Sequence, residues 1–206
     1  MIRRVVVLHG LWMPGASMRP LARRLARAGF SPELFTYATV RGGPDEAIPR
    51  LVDRLRASPA HVVAHSLGGL VALAALHHAP DLAVGRVACL GSPLRGSAAA
   101  TAMAHHAWGS FALGRSAGLL RDGCVPCASG IDVGVVAGRR PHGLGQFLGH
   151  FRGESDGTVA VAETRIDGLA DHVTVDASPL GLLFSAEAAD QALAFLREGR
   201  FVRQPR

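Results

Sequence analysis

The stretch Val62-Val63-Ala64-His65-Ser66-Leu67-Gly68-Gly69, continuing as an apolar run to His78, constrains the fold of this chain more than any other. Residues 61–64 predict a buried strand, and Leu67–His78, rich in leucine and alanine, predicts a helix. A strand that turns at once into a helix pushes the hydroxyl at the corner out above the sheet. The turn closes only if the flanking residues are small. Gly68 and Gly69 meet that need after Ser66, and Ala64 meets it before, at the expense of one methyl group relative to glycine. Ser66 is therefore the candidate nucleophile.

The rest of the chain repeats the alternation of short β-branched runs with helical patterns, which predicts a parallel sheet covered by helices on both faces. Strands are expected at 4–9, 34–37, 86–90, 133–137 and 173–177, about six in all with the one before Ser66. Ser17 is placed to cap a helix that tolerates Pro20 and stops at Gly29. Ile48, Leu51, Val52 and Leu55 fall on one helical face, and Ala186–Glu198 closes the chain as a helix. The expectation is one α/β domain over 1–206. Residues 94–130, rich in alanine, glycine and serine, form a lid-like helical insertion. There Trp108 and Phe111 are expected to cover apolar surface, and His105 and His106 could swing toward the site.

Composition narrows the function classes. With 206 residues, 49% hydrophobic and 18% charged, the chain is globular in character. The net charge of +6 comes from 22 basic residues that are all arginine and are scattered, without an aromatic-interleaved stripe, so no nucleic-acid partner is expected. The apolar run at residues 5–8 is too short for a secretory signal, no segment predicts stable membrane insertion, and the expected localisation is cytoplasmic. Cys89 reads as a strand residue. Cys124-Val-Pro-Cys127 is a lone pair of cysteines, which falls short of a zinc site, so neither metal nor cofactor is expected.

A second motif, Leu8-His9-Gly10-Leu11-Trp12, ends the first strand. A glycine there lets the backbone bend so that the next N–H points at a developing oxyanion. Leu11 N–H and Leu67 N–H are the expected donors, the second favoured by its helix N-terminus. His9 and His65 flank the site at motif positions that direct side chains into packing. His-Gly10, Ala-His-Ser66-Leu-Gly-Gly and Ser155-Asp156-Gly157-Thr158-Val159 resemble the lipase and esterase branch of the α/β-hydrolases, in particular small bacterial proteins similar to triacylglycerol lipases and GPI-inositol deacylases. The resemblance covers nearly the whole chain. It implies the order nucleophile, acid, histidine, with Ser66 as nucleophile and Asp156 as acid.

The resemblance also implies a histidine after the last strand, in a stretch that here reads Ser178-Pro179-Leu180-Gly181-Leu182-Leu183-Phe184-Ser185. Its neighbours match and its position is Pro179, which neither accepts nor donates a proton. His172 follows Asp156 but starts the last strand, roughly 23 Å from position 179 at about 3.3 Å per residue, on the wrong edge of the sheet. His150, shortly before the acid, is the better substitute base. The expected function is a serine hydrolase of small-molecule carboxylic esters or thioesters that works through an acyl-Ser66 intermediate, slow if no histidine substitutes. The alternatives are a degenerate relative that binds an acyl-type ligand, or an acyltransferase or cyclase. The oligomeric state is open.

Overall fold

The computed structural model describes residues 1–124, 130–141 and 154–203. Six parallel strands form one sheet in the order β2-β1-β3-β4-β5-β6. They are β1 (Arg4–Leu8), β2 (Ser31–Phe35), β3 (Ala60–His65), β4 (Val84–Leu90), β5 (Asp132–Gly138) and β6 (Asp171–Val175). The helices are α1 (Arg19–Arg27), α2 (Gly43–Arg56), α3 (Leu67–His78), α4 (Ala98–Ala104), α5 (Ala107–Leu113), α6 (Ala117–Asp122), α7 (Gly181–Phe184) and α8 (Ala186–Glu198).

Alternation along the strands splits the core in two, because successive side chains leave a strand on opposite faces. Val6, Leu8, Val62, Ala64 and Cys89 pack with Leu51 and Leu55 of α2 and Leu70 of α3. Val5, Val7, Val63 and Ala88 face the other way, onto Leu21 and Leu25 of α1 and Phe195 of α8. Both faces are covered over the four inner strands, which read as largely apolar runs, whereas the edge strands β2 and β6 are mostly half-buried or exposed. At Gly134 a Cβ would come within 2.7 Å of Phe195 Cζ, so the ring of α8 lies directly on the backbone of β5.

Helices α3 and α8 have the expected bounds, and other elements shift by local chemistry. The second strand ends at Phe35 and does not run on to Tyr37, whose N–H instead donates to His9 Nε2 at 3.3 Å. Ser17 is not a cap. It lies in a 3₁₀ turn, Gly15–Met18, that feeds α1, with Pro20 in the first turn of the helix. The helix carrying Leu51, Val52 and Leu55 starts earlier than its periodicity indicates, with Pro44 in its first turn beside Asp45 and Glu46, and it accommodates Pro49 on an exposed face. Among the described residues no helix is long and apolar enough to cross a membrane.

Helices α4, α5 and α6 occupy most of the expected insertion. Trp108 and Phe111 do not cover apolar surface as anticipated: they are 59% and 84% exposed. On α5, Gly109 and Leu113 are the buried pair one turn apart, which leaves Trp108 and Phe111 on the opposite face.

Candidate active site

Ser66 sits between β3 and α3 at φ 51°, ψ −123°, a conformation that only glycine adopts freely. Its N–H is held by the Leu90 carbonyl at 2.9 Å, and its carbonyl accepts the Gly69 N–H at 3.0 Å. Among the described residues one other non-glycine has positive φ, Trp12 at 57°. It belongs to the turn after β1, closed by Met13 N–H to the Gly10 carbonyl at 3.4 Å and anchored by Trp12 Nε1–H to the Ala112 carbonyl at 2.7 Å. Both strained residues border the same cavity, and backbone strain of this kind persists where surrounding structure over-determines it.

The two sequence motifs meet in space. A Cβ on Gly10 would lie 3.1 Å from Ser66 Cβ and 2.9 Å from His65 Nδ1. A Cβ on Gly68 would lie 2.8 Å from the His9 carbonyl oxygen, so the start of α3 rests on the end of β1. Leu67 is the first residue of α3 and fully buried, while Leu11 is partly exposed and lines the cavity.

That cavity has a volume of about 330 Å³. Leu11, Trp12 and Met13 form one wall, with Ser66 and His65 beside them. Ala100 and Met103 of α4, Leu113 of α5 and Leu120 of α6 cover it, and Val159, Pro179 and Leu180 complete it. The lining is overwhelmingly apolar, and Ser66 and His65 supply polar groups within it.

Asp156 lies on the same sheet edge as Ser66. Its position is fixed by two glycines: a Cβ on Gly138, at the end of β5, would be 2.9 Å from Asp156 Cβ, and one on Gly91, just past β4, 3.4 Å from Oδ2. Oδ1 accepts the N–H groups of Thr158 and Val159, both at 2.8 Å. The side chain is buried, and that burial raises the carboxyl to about 6 despite the two N–H donors.

The histidines separate cleanly. His9 accepts Tyr37 N–H on Nε2 and donates Nδ1–H to the Gly10 carbonyl at 2.9 Å, so both ring nitrogens are engaged. His172 is in β6, in register with Ala64 through Val135 and Cys89, so it does not lie at the opposite edge as expected; it is separated from Ser66 sideways, three strands away in the sheet. The Thr164 hydroxyl donates to the Val161 carbonyl and receives His172 Nε2–H at 2.8 Å. No hydrogen bond links His172 to Asp156 or Ser66 among the described residues. His105 and His106 are exposed between α4 and α5. His150, His142 and Cys127 lie outside the described residues.

Pro179 does line the Ser66 cavity, and its carbonyl accepts Nε2–H of His65 at 3.0 Å. His65, which the sequence assigns to packing, is buried and also lines the cavity. Its ring is fully buried, its Nδ1 has no hydrogen-bond partner, and burial lowers it to about 4, with a smaller contribution from nearby His9. Alternation along β3 assigns position 65 to packing. The signal that it reaches the cavity is spatial, through Gly10 and Pro179, and is absent from the local sequence.

No family model and no curated protein sequence matches the chain. Solved structures do resemble it. The lipase BlEst2 of Bacillus licheniformis, in propeptide form, superposes with a TM-score of 0.81 at 19% identity, covering 100% of this chain and 52% of that one. Phospholipase PlaB from Legionella pneumophila gives 0.71 at 15% identity, covering 96% and 59%. Polyneuridine aldehyde esterase gives 0.63 at 9% identity, covering 96% and 100%. The chain thus spans little more than half the length of the first two. At these identities the likeness is one of fold.

Proposed function

We propose that this chain, which has the α/β-hydrolase fold, is a serine hydrolase of small carboxylic esters or thioesters that works through an acyl-Ser66 intermediate. The observation that carries the reading is the strained Ser66 backbone at a strand-to-helix corner, opening into an apolar cavity. A serine held there presents its hydroxyl away from the sheet, at the wall of a space suited to an acyl group. A volume of about 330 Å³ is at the low end for ligand sites, so the acyl group is short or bent. Leu11 and Leu67 N–H groups stabilise the oxyanion, the latter aided by the N-terminus of α3. Asp156 supplies negative charge on the same edge, and α4–α6 act as a lid that keeps water from the acyl group. The motifs quoted above resemble those of small lipase-like and GPI-inositol-deacylase-like proteins, and that resemblance, with the lipase, phospholipase and esterase among its structural neighbours, supports an ester substrate.

The test is labelling by a fluorophosphonate, which modifies activated serines, followed by peptide mapping. Labelling of Ser66 in the parent and none in Ser66→Ala is expected. A parent that stays unlabelled overturns the reading. Pro179 favours a second reading, a scaffold that binds an acyl-type ligand without turning it over. On that reading ligand binds and Ser66 stays unlabelled.

A further inference from the structure

We propose that His65 supplies the base that Pro179 cannot, with Nδ1 taking the proton of Ser66 and Nε2–H held by the Pro179 carbonyl. The inference rests on the proposed function and adds a catalytic residue to it. A general base needs one free lone pair near the nucleophile and a partner that fixes the tautomer on its other nitrogen. His65 meets both conditions. A carbonyl oxygen only accepts, so the bond of 3.0 Å to Pro179 puts the ring proton on Nε2 and leaves the lone pair on Nδ1. That Nδ1 is buried without a partner, and it crowds the same point beside Gly10 as Ser66 Cβ does. Both residues line one cavity. A buried acceptor left unbonded is destabilising, and its persistence beside a strained serine is accounted for by a proton that arrives during reaction. No bond joins Nδ1 to Ser66 in the resting state, and catalytic contacts commonly tighten only around substrate.

The steps balance. Ser66 Oγ bonds to the ester carbonyl carbon while its proton passes to Nδ1 and the carbonyl π pair moves onto oxygen. The imidazolium so formed keeps Nε2–H on the Pro179 carbonyl, a bond that strengthens when the donor is charged. Collapse of the oxyanion breaks the bond to the alkoxy oxygen, which takes the proton from Nδ1 and leaves as alcohol. Water then attacks acyl-Ser66, gives one proton to Nδ1, and the acid departs as that proton returns to Ser66 Oγ. The titratable neighbour bearing on the ring is His9 at the end of β1, itself lowered by burial. From the other side His65 meets the uncharged Pro179 carbonyl.

The experiment compares the rate of fluorophosphonate labelling at Ser66, and of aryl-ester turnover, in the parent, His65→Gln and His65→Ala. The glutamine amide N–H replaces the donor to Pro179 without supplying a basic atom. His65→Gln, with its fold checked by circular dichroism, is expected to label about 10²–10⁴-fold more slowly. Imidazole added to His65→Ala is expected to recover part of the rate. In Asp156→Asn, which removes the carboxyl that titrates at about 6, the rate should hold from neutral pH down to about 4, because the base stays unprotonated until then. Parent-like labelling in folded His65→Gln would make the ring a positioning residue only and overturn the proposal, as would an acid limb near 6.5 in Asp156→Asn. Either result leaves Ser66 as nucleophile, whereas a parent that never labels removes both readings.

Discussion

At the scale of the residue, Ser66 is held in a conformation that suits glycine, and strain of this kind is worth roughly 1–3 kcal/mol. Ser66→Gly and Ser66→Ala both remove the hydroxyl, but only the first relieves the backbone. Ser66→Gly is therefore expected to be the more stable of the two, by about 1 kcal/mol after glycine's greater unfolded-state entropy is offset. Urea unfolding of the two variants measures the difference, and equal midpoints would mean that the turn stores no strain. Asp156 offers a second case of stability given up locally. Its carboxyl rises from 3.8 to about 6 in the folded protein, so the native state is stabilised by protonation as pH falls through 6. Asp156→Asn keeps an acceptor for Thr158 and Val159 N–H and removes the buried charge. At pH 8 it should be more stable than the parent, by up to about 3 kcal/mol, with the advantage gone near pH 4.

At the scale of the element, the loop between β6 and α7 contributes Pro179 and Leu180 to the wall of the Ser66 cavity. Pro179 borders the cavity beside Ser66, so Pro179→His would place an imidazole at that wall. With His65 as the proposed base, Pro179→His adds a second imidazole to a site already served, so esterase activity on a short aryl ester should change little; a gain of about 10²–10⁴ in a well-folded variant would mean that the parent works without a base. The β3–α3 corner was legible from sequence because a strand, a small-residue turn and a helix are all local signals. Its packing can be tested as well. A Cβ on Gly69 would come 2.7 Å from Ser92 Cβ and 3.1 Å from Cys89 Sγ, so Gly69→Ala should lower stability by about 1–3 kcal/mol in denaturant titration. The outward set of Trp108 and Phe111 was not legible, because it follows from which face of α5 Gly109 and Leu113 turn inward. The early start of α2 was signalled by Pro44, Asp45 and Glu46, which apolar periodicity alone passes over.

At the scale of the whole molecule, the parallel-sheet architecture was legible, because both faces of the inner strands are buried and those strands carry apolar runs separated by helical patterns. The contact on which the proposed base rests was not, since His65 and Pro179 are 114 positions apart and meet only when β3 and the β6–α7 loop come together. Buried histidines also set the response to acid. His9 and His61 lie below their ordinary value, and His65 and His172 are lowered to about 4, so the unfolded chain takes up protons near 6.5 before the folded one does. Stability should fall as pH drops from 6.5 toward 4. Asp156 and Glu163, both raised by burial, act in the opposite sense, but two carboxyls are outweighed by four imidazoles. Melting temperature measured at pH 7.5, 6 and 4.5 should decline, and a flat profile would contradict the neutral, buried rings. The chain has two tryptophans, Trp12 in the cavity wall and tied to α5, and Trp108 on α5 itself. Trp12 therefore gives the cavity an optical gauge in its own wall. With Trp108 replaced by phenylalanine, the remaining indole emission would shift as the space beside Ser66 fills, and would follow occupancy in real time without any attached dye.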